Sequence, residues 1–177
     1  WLAQYKSPYQ GGQIPTPVYD ANDGHPSFLL LNDGTGHFTD GTEKAGLHTK
    51  RHRRTYSASF VDFDSDKDQD LIVVSDFSGL DIHENNGNGT FIDATDRLVK
   101  KRHAFGMAHT FGDFDHNGEL DILMIGMNAP TADRLSHLGL SVPHRPDYAT
   151  MRPSMTVGNR LLFQKDRRFV ETETSLQ

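Results

Sequence analysis

The sequence contains no cysteine, which excludes a disulfide scaffold and a thiolate metal site and leaves the redox compartment open. It holds a single tryptophan, and no apolar run approaches the roughly 18 residues that a membrane span needs. There is no helix carrying His-x-x-x-His, no Cys-x-x-Cys-His haem site, no Gly-x-Ser-x-Gly elbow and no phosphate-binding glycine loop. The familiar signatures of thiol, haem, serine-hydrolase and nucleotide chemistry are therefore missing. No signal peptide is visible and the chain begins at Trp1, as expected of a processed or truncated start.

What is present points to strands and turns. The 177 residues suit one ordinary domain, and 35% hydrophobic content is enough for a core. Sixteen glycines and eight prolines call for many turns, while eleven phenylalanines and five tyrosines favour strands. The formal charge of −6 gives no reason to expect a nucleic-acid partner. Many of the acids fall in two short runs, so the net figure hides a local pattern.

Self-comparison finds a repeat. Residues 59–72 align without gaps on residues 110–123, which places Asp113 51 residues after Asp62. A Gly-rich turn leading into Phe and Asp also recurs, at 32–40 and 86–93. A weaker third copy ends in Arg168-Phe169-Val170-Glu171-Thr172, with Lys165-Asp166-Arg167 in place of the turn glycines. The middle unit reads as four short strands at 56–63, 71–75, 80–84 and 90–94.

Four-stranded units at this period predict an all-β fold, a β-propeller. A β-sandwich with chance acidic turns is the weaker alternative, because both repeated elements recur in the same order. The expected division is a first unit at about 17–45, a second blade at about 56–97 and a third at about 107–174. The third is interrupted by an insertion at 128–156. In the first unit, strands are expected at 17–20, 28–32 and 37–40. That makes about two and a half blades, whereas closure takes roughly four to eight. The expectation is a piece of a larger propeller, or one completed by neighbouring subunits, since open edges favour aggregation.

The acidic runs have the spacing of a cation loop. In the first, Asp62, Asp64, Asp66 and Asp70 stand at positions 1, 3, 5 and 9, with the carbonyl of Asp68 at position 7. In the second the set is Asp113, Asp115, Asn117 and Asp121, with Glu119 at position 7. Such oxygen-only sets suit Ca²⁺, which takes six to eight oxygen ligands; Mg²⁺ prefers to keep its waters. An EF-hand is disfavoured: position 12 is Val73 or Met124 where that motif needs Glu, and the flanks are β-type. A merely solvated acidic turn is disfavoured because adjacent carboxylates repel and the spacing recurs. Two Ca²⁺ sites are expected, with a structural role. Lys67 stands where the second loop has Gly118, at a position that calls for positive φ. The stretch Asp20-Ala21-Asn22-Asp23-Gly24 lacks the spacing and reads as a turn.

The runs Phe60-Val61-Asp62-Phe63-Asp64-Ser65-Asp66-Lys67-Asp68-Gln69-Asp70-Leu71 and Gly112-Asp113-Phe114-Asp115-His116-Asn117-Gly118-Glu119-Leu120-Asp121-Ile122 resemble FG-GAP/VCBS repeats of integrin alpha-subunit-type propellers. The turn at 32–40 resembles the bacterial version in ASPIC/UnbV-type proteins, relatives of cartilage acidic protein. The resemblance covers about 17–174 apart from the insertion. It implies a calcium-binding propeller that is extracellular, on the cell surface or periplasmic, used in adhesion or binding.

Consecutive strands alternate direction, so the metal loops and hairpins share one end of each unit and the connectors and insertion share the other. The connectors are basic: Lys50-Arg51-His52-Arg53-Arg54 and Lys100-Lys101-Arg102-His103. The insertion adds Arg134, His137, His144, Arg145 and Arg152. An exposed cationic face built from Arg51, Arg53, Arg54, Lys101, Arg102, Arg134, His144 and Arg145 is expected to meet an acidic glycan or a carboxylate-bearing protein. The ten histidines are read as surface or interblade packing groups. The leading function is non-catalytic binding or assembly. Part of a polysaccharide-acting enzyme, or an accessory subunit docked through its insertion, are the alternatives.

Overall fold

The computed structural model describes residues 1–5 and 19–171. Strands β1 (Leu30–Asn32) and β2 (Phe38–Asp40) form a two-stranded antiparallel ribbon. Strands β3 (Arg54–Val61), β4 (Asp70–Asp76), β5 (Gly79–Asn85) and β6 (Phe91–Asp93) make a four-stranded sheet in chain order. The short helix α1 (Thr95–Leu98) follows. Strands β7 (Gly106–Gly112), β8 (Asp121–Gly126), β9 (Arg160–Lys165) and β10 (Arg168–Glu171) make a second four-stranded sheet, again in chain order. All neighbouring strands in these sheets are antiparallel.

Strand β4 is buried at every residue. Its run Leu71-Ile72-Val73-Val74 is apolar without alternation because both of its faces are covered. Leu71 and Val73 meet Leu29, Ala45, Leu47 and Phe91, with Trp1 alongside. Ile72 and Val74 meet Ile122, Met124, Leu162 and Phe169 of the second sheet. The first sheet is thus sandwiched between the ribbon segment and the second sheet, and the cores are the two seams. Burying each such side chain contributes about 1.5–3 kcal/mol. Ile72→Ala, at the centre of the larger seam, costs about 2–5 kcal/mol.

The second sheet is covered on one face only. Ile122 and Met124 of β8 are fully buried against the first sheet, whereas Ile125 is 38% exposed. On β10 the same alternation buries Phe169 and leaves Val170 51% exposed.

The sheets account for most of the structured chain, but the insertion departs from the all-β expectation. It folds as α2 (Pro130–His137) and α3 (Tyr148–Met155). Pro130 opens α2, where its missing N–H costs nothing. Tyr148 and Met155 of α3 pack with Tyr19 and Phe105, with Phe77 of the β4–β5 turn beside them. Periodicity in so short a segment was too weak to show these helices. In the first unit, residues 17 and 18 of the expected strand lie outside the described residues, and Tyr19 and Asp20 form a turn. Among the described residues, no helix is long and apolar enough to cross a membrane.

Candidate metal centre

The two acidic loops join β3 to β4 and β7 to β8. In the first, Asp62, Asp64 and Asp70 each bring a carboxylate oxygen within 4.8 Å of the others; Asp113, Asp115 and Asp121 do the same in the second. The backbone folds alike in both. Asp62 accepts from the amides of Asp66 (3.1 Å) and Lys67 (3.1 Å), and Asp113 from those of Asn117 (2.9 Å) and Gly118 (3.0 Å). These bonds curl each loop around its first carboxylate.

The last carboxylate of each loop ties it to its own sheet. Asp70 accepts from the amides of Phe63 (3.4 Å) and Asn85 (2.9 Å). Asp121 accepts from those of Phe114 (2.8 Å) and Gln164 (2.9 Å). Asn85 and Gln164 sit at the starts of the β5–β6 and β9–β10 hairpins, so loop and hairpin share one end of each sheet. Burial, helped by Asp64 and Asp68, outweighs the lowering by the two amides and leaves the Asp70 carboxyl pushed up to about 6.

The remaining expected ligands are placed less directly. Asp66 and Asn117 accept from the amides of Asp68 (3.1 Å) and Glu119 (2.7 Å) and serve the turn. Asp66 stands outside the three-carboxylate group. The Oδ1 of Asp68 is buried without a hydrogen-bond partner. Val73 and Met124, at position 12, are buried in strands and offer nothing to a cation. Lys67 takes φ 79°, matching Gly118 at 88°, so a side chain is held where glycine is favoured.

The donors are all oxygen, they converge, and one buried carboxylate oxygen lacks a partner. That set fits a hard divalent cation in either loop. Bound there, the cation would relieve the mutual repulsion that raises Asp70.

Sequence reasoning missed a bridge between the loops. Gln164 is buried and donates through Nε2 to the carbonyl of Phe63 (3.1 Å) in the first loop, while its amide serves Asp121 in the second. Arg167, in the β9–β10 turn, pairs with Asp64. The only advance signal was the loss of glycines at Lys165-Asp166-Arg167.

The opposite end of the sheets withdraws three residues from the expected cationic face. Arg53, Arg54 and Arg102 are buried. Arg53 pairs with Asp20 (2.7 Å) and Asp81 (3.1 Å). Arg102 pairs with Asp20 (3.1 Å), Asp96 (3.1 Å) and Asp81 (3.6 Å), and Lys50 reaches Asp81 at 2.6 Å. Arg54 pairs with Asp23 (2.9 Å) and lies over the ring of Phe77. Arg51 lies over Phe28 and is 3.8 Å from Asp40. The basic connectors serve acids of this chain: Asp81 in the first sheet, Asp20 and Asp23 before β1, Asp40 in β2 and Asp96 in α1. Burial alone would raise Asp81, but Arg53, Lys50 and Arg102 outweigh it and hold the carboxyl below its usual range.

In the insertion, Arg145 is committed to Asp147 (2.7 Å) and the face of Tyr148, and buried Arg152 donates to the Leu140 carbonyl (2.6 Å). Lys101, Arg134 and His144 are exposed. The spacing argument could not separate these from the buried cations, because a buried acid on a neighbouring strand leaves no local pattern.

The sequence model of the FG-GAP-like repeat matches residues 62–124. The match begins at the first carboxylate of the first loop and ends in β8, so it contains both loops. The turn at 32–40, which carries the finer ASPIC/UnbV resemblance, lies outside it. No curated protein matches the chain.

Proposed function

We propose that this chain is a calcium-braced, non-catalytic module of a β-propeller, serving binding or assembly outside the cytoplasm. The observation that carries the reading is the recurrence of one three-carboxylate cluster, with the same amide pattern, at the same end of two stacked sheets. Ca²⁺ is favoured over Mg²⁺ because each loop brings three carboxylates to one point, whereas Mg²⁺ rarely uses an all-protein cage. Held there, it would brace each loop against its sheet through Asp70 or Asp121. Such loops suit compartments where calcium is millimolar.

The open face of the second sheet supports the propeller. Ile72 and Val74 of the first sheet are fully buried beneath the second sheet. Leu123 and Ile125, 51 residues later, stand on the corresponding face of β8, beside exposed Val170. A further four-stranded unit is the occupant that repeats the seam already made once.

For a partner, Lys101, Arg134 and His144 of the expected face are exposed, and among the described residues no ion pair of theirs is seen. They suit an acidic protein or glycan approaching the insertion end. Two experiments test the reading. Melting with Ca²⁺ against EDTA should show stabilisation by calcium that Asp64→Ala with Asp115→Ala removes; equal melting sinks the calcium brace. Retention on immobilised heparin should weaken in Lys101→Glu with Arg134→Glu; unchanged retention removes the anionic partner from this end.

A further inference from the structure

The β9–β10 turn reaches across to the neighbouring sheet. Asp166 (φ 51°) and Arg167 (φ 58°) both take the left-handed conformation that glycine usually supplies in a two-residue hairpin. The corresponding turn of the first sheet has Gly87 and Gly89 at positive φ. A turn built from Asp and Arg gives up that freedom and presents a guanidinium to the first loop instead. Arg167 meets Asp64, one of the three converging carboxylates, and the Asp64 side chain is 5% exposed. Three residues before Arg167 on this hairpin, Gln164 holds the Phe63 carbonyl at 3.1 Å. In the second loop Asp115, the counterpart of Asp64, has no ion pair among the described residues.

We propose that the Lys165-Asp166-Arg167 turn is a cation-released latch, with Arg167 standing in at Asp64 for the divalent cation of the first loop. This rests on the calcium reading. A guanidinium and a divalent cation compete for one carboxylate, and binding to one state shifts the other by an equal coupling. Two consequences follow. The first loop holds Ca²⁺ less tightly than its one extra carboxylate would suggest. Uptake there also frees Arg167 from Asp64, whereas uptake by the second loop, tied to the same hairpin through Asp121 and Gln164, does not compete for Arg167.

The test follows the amides of Lys67 and Gly118, one in each loop, by NMR through a Ca²⁺ titration of the wild-type chain and Arg167→Gln. Because Arg167 is largely exposed and screened, removing it is expected to lower the Lys67 midpoint about fivefold, with the Gly118 midpoint unchanged. Amide exchange at 166–168 should quicken on calcium addition in the wild type and be fast throughout in Arg167→Gln. A Lys67 midpoint that stays put or rises, with both amides still responding to calcium, overturns the latch and leaves the calcium reading standing. Amides that ignore calcium in both proteins overturn the calcium reading and the latch with it.

Discussion

The two ends of the same sheets both gather carboxylates, and they differ in how much counter-charge the chain itself brings to them. At the connector end, Asp81 is fully buried and meets Lys50, Arg53 and Arg102, all from this chain. At the loop end, Asp62, Asp64 and Asp70, and again Asp113, Asp115 and Asp121, converge with almost no cation of their own among the described residues. Arg167 at Asp64 is the exception. A buried charge must be matched. One end therefore finds its counter-charge within the chain, and the proposed calcium brace has the other draw it from solution.

The sharpest way to break this contrast is at Asp81. Asp81→Asn takes the shared buried carboxylate from three cations, which keep only Asp20, Asp93 and Asp96, and should cost about 3 kcal/mol in urea unfolding, equally with and without Ca²⁺. A loss that calcium restores would mean the two ends are not independent. Next in size is calcium itself. At a hundredfold excess over Kd, each loop should contribute about 2.7 kcal/mol by linkage, so Asp115→Ala should lose about half of the calcium-dependent stabilisation in a melt. If it loses all of it, only the second loop binds.

Acid should weaken the connector end through His103. Burial, followed by Arg102, pushes its imidazole down to about 4. The unfolded chain takes that proton near 6.5 and the folded chain only near 4. Protons therefore favour unfolding between those values: stability falls as pH drops from about 6.5 to about 4 and is regained on the way up. Discounted for partial exposure, the loss is about 1–2 kcal/mol, read as the difference in urea midpoint between pH 7 and 4.5. His103→Gln should flatten that dependence, and an unchanged slope would assign it elsewhere. The smallest effect belongs to Lys67. Held at φ 79°, it should gain about 1 kcal/mol of stability on Lys67→Gly, since glycine adopts that region freely. A loss instead would mean that the side chain contributes more than the strain costs.

The loop end was legible in the sequence because each of its determinants is local. The nine-residue spacing, the β-branched run after it and the glycine hairpin can all be seen without knowing the fold. The repeat then doubled every signal. The connector end was not legible, because Asp81 lies far in sequence from both basic runs and does not recur. Met124 pairs with Arg160 as Val73 pairs with Asp81, so the second sheet carries the opposite charge at the equivalent place. Arg160 there donates to the carbonyl of Lys101 at 2.5 Å. Self-comparison finds what repeats and misses a compensation made once. The helices of the insertion were hidden for a related reason: their buried face is set by Tyr19 and Phe105, which are distant in sequence.

Isothermal titration of the intact chain with Ca²⁺ tests most directly whether the loop end is completed from solution. The account predicts uptake of about two ions per chain, one for each carboxylate cluster, and none in the Asp64→Ala, Asp115→Ala double variant. No uptake by the wild-type chain, or uptake that survives both substitutions, would contradict it.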